Sequence, residues 1–190
     1  MVLQLLQSII TFLIVMDPIA SMSVFIYLTK RFSSRDKFRA ANKAVFVAGA
    51  LAFVFIFLGE PLLGLMGITF SSFKVAGGIV LFLLGLEMIL NFSISKEKAK
   101  DYNVAAVIIA TPLITGPGVI TTSILSVHKI GLVLTSISAL VSLLVTWFIL
   151  RGAEKIHKTF GQNTLDIISK IMGLIIASVG INFIISVFGF

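Results

Sequence analysis

The chain contains no cysteine, which excludes disulfides, thiolate metal sites and thiol nucleophiles. It has two histidines, four prolines, one tryptophan and only 8 acidic residues against 15 basic ones. No H-E-x-x-H occurs, and His128 and His157 stand in or beside connections on opposite faces, so no metal site is expected. Charged residues make up 12% of the 190, where an ordinary soluble domain carries about 25%. So little charge cannot cover a water-soluble globule. A soluble fold, a disordered chain and a nucleic-acid partner are all excluded on that ground. What fills the chain instead is apolar: 58% hydrophobic residues and a mean hydropathy of +1.12. The composition is that of a polytopic membrane protein, in one transmembrane domain over 1–190.

A membrane-crossing helix needs about 20 mostly apolar residues, since the hydrocarbon core is about 30 Å thick. That ruler predicts six spans, at residues 3–29, 41–59, 69–90, 104–127, 131–150 and 168–188. The runs are continuously apolar rather than alternating, which excludes a β-barrel. Residues 1–16 lack a basic leader and a small-residue cleavage pattern, so they read as a retained span.

The basic residues are unevenly placed. Lys30, Arg31, Arg35, Lys37, Arg39, Lys43, Lys96, Lys98, Lys100, Arg151, Lys155, Lys158 and Lys170 fall on one face, and Lys74 and Lys129 on the other, 13 against 2. The positive-inside rule then puts the first, third and fifth connections in the cytoplasm and both termini outside, in a cell (inner or plasma) membrane. Lys74 and Lys170 lie just inside spans and are expected to snorkel to the nearer interface. Trp147, near one end of the fifth span, reads as an interface anchor.

Two short internal matches suggest duplication. Residues 13–20 (LIVMDPIA) align with 107–114 (VIIATPLI), and Gly78-x6-Gly85-x-Glu87 aligns with Gly173-x6-Gly180-x-Asn182, at offsets of 94 and 95. The halves, about 1–95 and 100–190, hold three spans each, so the second must enter from the opposite side. That is an inverted 3+3 repeat with broken first and fourth helices, a common build of secondary transporters.

The breaks carry the candidate chemistry. Asp17-Pro18 falls roughly 20 Å along the first span, near the bilayer midplane. Proline removes a backbone donor and disfavours helix at the preceding residue. Asp17 is then the expected N-cap of a resuming half-helix with Pro18 at its first position. A carboxylate at that depth costs at least about 2.5–3.5 kcal/mol and needs a partner, water or a proton. It suits a substrate ammonium or a coupling cation, while a purely structural cap is the simpler alternative. The second break is Thr111-Pro112-Leu113-Ile114-Thr115-Gly116-Pro117-Gly118. Two prolines and two glycines in eight residues interrupt a helix, and irregular backbone at membrane depth persists only against protein or a water-filled cavity. The helix resuming near Gly118 offers free N–H groups and a positive dipole end, which suit a carboxylate. Thr121 and Thr122 add hydroxyls that either line this cavity or pack against neighbouring spans. Glu87 and Asn182 hold equivalent repeat positions near opposite faces, as gating or coupling residues or as plain interfacial groups. The stripe Ala40, Ala44, Ala48, Ala52 and the glycine pairs read as close packing, within one chain or between subunits of an oligomer. No enzyme is expected: one deep carboxylate makes no dyad, no histidine lies at depth, and no base stands beside the serines.

At these motifs the sequence resembles the MarC family of six-span inner-membrane proteins, within the wider LysE-type exporter superfamily. The carrying segments are MDPIASMSVFIYLTKRFS at 16–33, LGEPLLGLMGITFSSFKVAGGIVLFLLGLEM at 58–88 and TPLITGPGVITTSIL at 111–125. Many members are similar to (D/N)-P-I-G-N-x-P-x-F at the first, where this chain keeps Asp17, Pro18, Ile19 and Phe25 but has Ala20, Ser21 and Ser23. The resemblance, rather than composition, implies transport of small neutral amino acids such as glycine and alanine. The paired breaks place Asp17, Pro18 and 111–118 about one midplane site, with Ser21 beside them as a further candidate, and no cofactor is expected. Coupling to a proton or sodium ion is left open. An exporter of other small solutes or drugs, and a non-transporting membrane scaffold, are the alternatives.

Overall fold

The computed structural model describes residues 2–90, 103, 106, 107, 110 and 114–188, apart from the side chain of Gln162. Its helices are α1 (Val2–Met16), α2 (Pro18–Thr29), α3 (Ser34–Leu65), α4 (Phe70–Leu90), α5 (Pro117–Ile130), α6 (Leu132–Arg151) and α7 (Ala153–Ile185). There is no strand among the described residues. Five stretches are long and apolar enough to cross a membrane: Val2–Thr29, Ser34–Leu65, Phe70–Leu90, Leu132–Arg151 and Asn163–Ile185. Large apolar side chains such as Phe46, Leu144 and Leu174 are exposed on the outside of the bundle, where lipid rather than water suits them.

Five of the six expected spans thus have a counterpart. The expected span at 104–127 falls partly outside the described residues; of it, Ala106 and Val107 are helical, Ala110 and Ile114 are in π-helical turns, and α5 begins at Pro117. Two boundaries differ for a physical reason. The second span, expected at 41–59, belongs to a 32-residue helix of about 48 Å. It starts early because the Ser33 hydroxyl accepts from Asp36 N at 3.2 Å and donates to its carboxylate at 2.7 Å, an N-terminal cap of the capping-box type. The fifth connection, expected as a polar loop, is helical from Ala153, and Gly161 at φ 71° then redirects the chain into the last span. That span runs 163–185 rather than 168–188. Helices do not stop where the bilayer does; a hydropathy ruler does.

Small residues set the packing. Ala40, Ala44, Ala48 and Ala52 are fully buried along one side of α3, as the packing reading expects. On α6, Thr135, Ser138, Ser142 and Thr146 form a buried stripe. Three of these hydroxyls donate to a carbonyl one turn back, and Ser142 reaches Ile9 O of α1 at 3.2 Å. The closest contact joins α4 and α7. A Cβ added to Gly78 would lie 2.6 Å from Gly180 O, and one added to Gly85 would lie 2.4 Å from Gly173 O. The two backbones therefore touch, antiparallel, at both places.

The end of the bundle bearing most basic residues is clasped by side chains. Lys37 of α3 pairs with Glu154 of α7, and the ammonium holds that carboxyl below its ordinary value by a hydrogen bond and by its charge. Trp147 Nε1 donates to Asn42 Oδ1 at 2.7 Å, and the Arg151 guanidinium lies over both Phe38 and Trp147, 4.6 and 4.5 Å from the ring centroids. Trp147 therefore pins α6 to α3.

Candidate functional site

The first span breaks at Asp17. Its backbone is left-handed, at φ 38° and ψ 72°, and it is the one non-glycine residue with positive φ among those described. Such a conformation costs most side chains roughly 1–2 kcal/mol, and Asp and Asn tolerate it best. The break follows from sequence, because Pro18 has no N–H to continue the ladder and sits at the first position of α2. Asp17 Oδ1 accepts from Ala20 N at 3.1 Å, the N-cap geometry expected. The Ser21 hydroxyl, 1% exposed, turns back toward Met16 O at 3.4 Å, so it serves the carbonyl that the break releases. Asp17 is 8% exposed, and its Oδ2 is buried with no hydrogen-bond partner. One carboxylate oxygen caps; the other is unspent.

The second break is resolved at Gly116-Pro117. Gly116 is the N-cap of α5 with no side-chain cap, and Pro117 takes its first turn. Thr111 and Pro112 lie outside the described residues. Thr115 N donates to Ala110 O at 2.9 Å, a π-type bond, and Gly116 O accepts from Val119 N and Ile120 N. The Thr115 hydroxyl donates to Ala48 O at 2.8 Å, so this break is seated on the alanine stripe of α3. Gly118 brings the two breaks together: a Cβ there would meet Val15 at 2.9 Å and Leu81 at 2.7 Å. Val15 lies two residues before Asp17. Gly118 thus admits close packing of α1 and α4 on the α5 terminus, and side chains fill the space over its Cα.

Beyond the breaks, α1 and α5 run side by side toward the bundle end opposite the basic clasp. Between them lies a cavity of about 90 Å³ whose lining includes Gln4, Gln7, Ser8 and Thr11 from α1 and Thr122 and Lys129 from α5. Ser8 Oγ, Thr122 Oγ1 and, beside it, Ser123 Oγ are buried without a hydrogen-bond partner. Buried polar atoms are nearly always paired, so a run of unpaired ones on facing helices marks a place where something else pairs with them. Along the chain, Phe12 and Met16 of α1 and Val119 of α5, nearly or fully buried, come between the residues that line this cavity and the two breaks. Thr121 differs from its neighbour. Its hydroxyl is spent on Pro117 O at 2.9 Å, and its side chain fills the notch at Gly77, where an added Cβ would meet it at 2.0 Å.

Of the expected site residues, Asp17, Pro18, Ser21, Thr115, Gly116, Pro117 and Gly118 are gathered about the two breaks, and Thr122 lines the cavity. Glu87, half-buried, and Asn182, exposed, sit toward opposite ends of the α4–α7 crossing, and neither lines the cavity. The α1 polar face was not among the expected residues. Its signal is Gln4, Gln7, Ser8 and Thr11 at i, i+3, i+4 and i+7 within an apolar run, which is one helix face.

Apolar spans with lipid-facing exteriors, and polar residues gathered inside the bundle, define an integral membrane protein with a cavity between two of its helices. Residues 2–188 match the MarC family integral membrane proteins. Curated relatives include a UPF0056 membrane protein of Methanocaldococcus jannaschii, 30% identical over 90% of this chain and 89% of the relative. Another, from Pyrococcus horikoshii, is 31% identical over 96% of each chain, and the UPF0056 membrane protein YhcE of Escherichia coli K12 is 28% identical over 90% and 85%. The chain belongs to the MarC family. No solved structure matches it.

Proposed function

We propose that this chain is a secondary transporter of small neutral amino acids of the glycine and alanine type, working by alternating access about the paired breaks. The observation that carries the proposal is the buried, half-unpaired Asp17 carboxylate at a helix break, set beside the N-terminal end of α5. A zwitterion needs both an acid for its ammonium and donors for its carboxylate. Asp17 Oδ2 suits the first, and the positive dipole end of α5 suits the second, although Val119 N and Ile120 N are engaged by Gly116 O. A proton or sodium ion is the coupling ion, exchanged at the same carboxylate.

The inverted repeat belongs to this proposal and has one geometric support. At the 95-residue offset, Gly78 corresponds to Gly173 and Gly85 to Gly180. Exchanging the halves turns the Gly78–Gly180 contact into Gly173–Gly85, which is the other contact seen. A pseudo-two-fold axis through the α4–α7 crossing accounts for that exchange. Both termini lie outside, in the cell membrane, with the clasped basic end in the cytoplasm. The cavity's 90 Å³ holds several waters and is well below the about 300–1,000 Å³ of clefts for drug-sized ligands. This favours a small solute over a drug.

Purified protein in liposomes with radiolabelled glycine or alanine tests the proposal. Uptake above empty vesicles under a sodium, proton or counter-substrate gradient is expected, and Asp17→Asn abolishes accumulation against a gradient more than exchange. Absence of uptake under every such gradient contradicts the substrate assignment; unchanged concentrative uptake in the variant removes Asp17 from the mechanism.

A further inference from the structure

Asp17 does not line the cavity between α1 and α5, and buried Phe12, Met16 and Val119 intervene along the two helices, so the cavity is a second place where a solute can rest. Among the described residues lining it there is one ionisable side chain, Lys129, and no carboxylate. Gln4 and Gln7 add amide donors one helical turn apart on α1. Two further donors are already desolvated and unspent: Ser8, 7% exposed, and Thr122, 1% exposed, both lining the cavity and both without a hydrogen-bond partner. A concave site with one cation, convergent donors and no acid recognises a small anionic group.

We infer that this cavity is an outer binding site for the carboxylate group of a small solute, with Lys129 as counter-charge and Ser8 and Thr122 as hydroxyl donors. The naming of the solute as an amino acid rests on the proposed transport function; the recognition of a carboxylate does not. The mouth position of Lys129, which is exposed, makes capture weaken as ionic strength rises. The outer site reads the carboxylate alone; the deep one adds an acid, Asp17, for the ammonium.

Direct binding of radiolabelled glycine and of radiolabelled acetate to the purified, detergent-solubilised full chain tests this, with Asp17→Asn isolating the outer site. The Asp17→Asn protein is expected to bind both ligands, to release glycine to excess acetate, and to keep it in equal methylammonium or chloride. Adding Lys129→Gln weakens both affinities by about tenfold or more, and Thr122→Val lowers them where Thr122→Ser does not. Unchanged affinity in Lys129→Gln, displacement by chloride as effective as by acetate, or no binding of either ligand to Asp17→Asn overturns the inference. Acetate binding that depends on Lys129 in a protein with no glycine uptake separates the two claims: the outer site stands and the transport proposal falls.

Discussion

Two seams of this bundle are built on opposite terms. At the α4–α7 crossing, glycines let backbone touch backbone at Gly78–Gly180 and Gly85–Gly173. The α1–α5 seam is the reverse: one helix ending before Asp17 and another beginning after Gly116, hydroxyls and a carboxylate oxygen left unpaired, and a cavity between them. Without a hydrophobic drive between helices in lipid, close backbone approach is what holds spans together. The first seam spends that resource fully. The second gives it up around its cavity, and unpaired polar atoms in a membrane interior carry a standing cost. On the transport function proposed above, the first seam is the fixed side and the second the working side.

The largest expected effect breaks the fixed seam. Gly85→Leu drives side-chain atoms into Gly173 O and Ala177 N, which a Cβ alone would approach to 2.4 and 2.6 Å. Overpacking costs about 1–3 kcal/mol and sometimes more, and here the obstruction is backbone. Loss of monodisperse folded protein, or a sharply lower Tm, is expected by size-exclusion and thermal unfolding. Gly64→Ala, where nothing lies within 4 Å, is the neutral control.

Next in size is the pair of substitutions at Asp17. Asp17→Ala loses both the cap to Ala20 N and a residue suited to positive φ, for about 1–2 kcal/mol. Asp17→Asn keeps an acceptor and tolerates the conformation, so its Tm stays near wild type while concentrative uptake is lost. If both variants lose stability alike, the carboxylate serves the fold and not transport.

A subtler contrast separates two threonines seven residues apart. Thr115→Val removes the bond to Ala48 O and lowers stability by about 0.5–1.5 kcal/mol. Thr122→Val removes a hydroxyl with no partner, so stability holds or rises while glycine uptake falls. Thermal unfolding and uptake on the same preparations read both. The smallest effect lies outside either seam. Glu154→Gln breaks the exposed Lys37 pair, worth about 0.2–1 kcal/mol. Since Lys37 holds that carboxyl below its ordinary value, the stabilisation is present at neutral pH and lost as pH falls through the lowered value. The Tm curves of wild type and variant therefore converge in acid.

Most of this contrast is written in residue types with a local mechanical consequence. Pro18 and Pro117 each lack the donor that would carry the preceding helix through, so the two breaks are legible without tertiary information. Gly78, Gly85, Gly173 and Gly180 are legible as packing because their spacing places each pair on one helix face. Less legible was whatever depends on a partner. Thr121 and Thr122 are identical neighbours, yet one fills the notch at Gly77 and the other faces the cavity, because α4 and α1 flank α5 on different sides. The polar face of α1 was hidden by an apolar average: four polar residues scattered through fifteen vanish in a hydropathy window but gather on one side of a helix. The helical start of α7 was missed because charge in a connection says where the membrane ends and nothing about where the hydrogen-bond ladder does.

The absence of cysteine allows the central claim to be tested directly, by single thiols on an otherwise silent background. Thr122→Cys places one in the α1–α5 cavity, and Ala177→Cys places one in the α4–α7 crossing. In proteoliposomes, a membrane-impermeant maleimide is predicted to label position 122 from the side to which the cavity opens, with glycine slowing the reaction, and to leave position 177 unmodified. Equal protection of both thiols, or labelling at 122 indifferent to glycine, would contradict a working seam beside a fixed one.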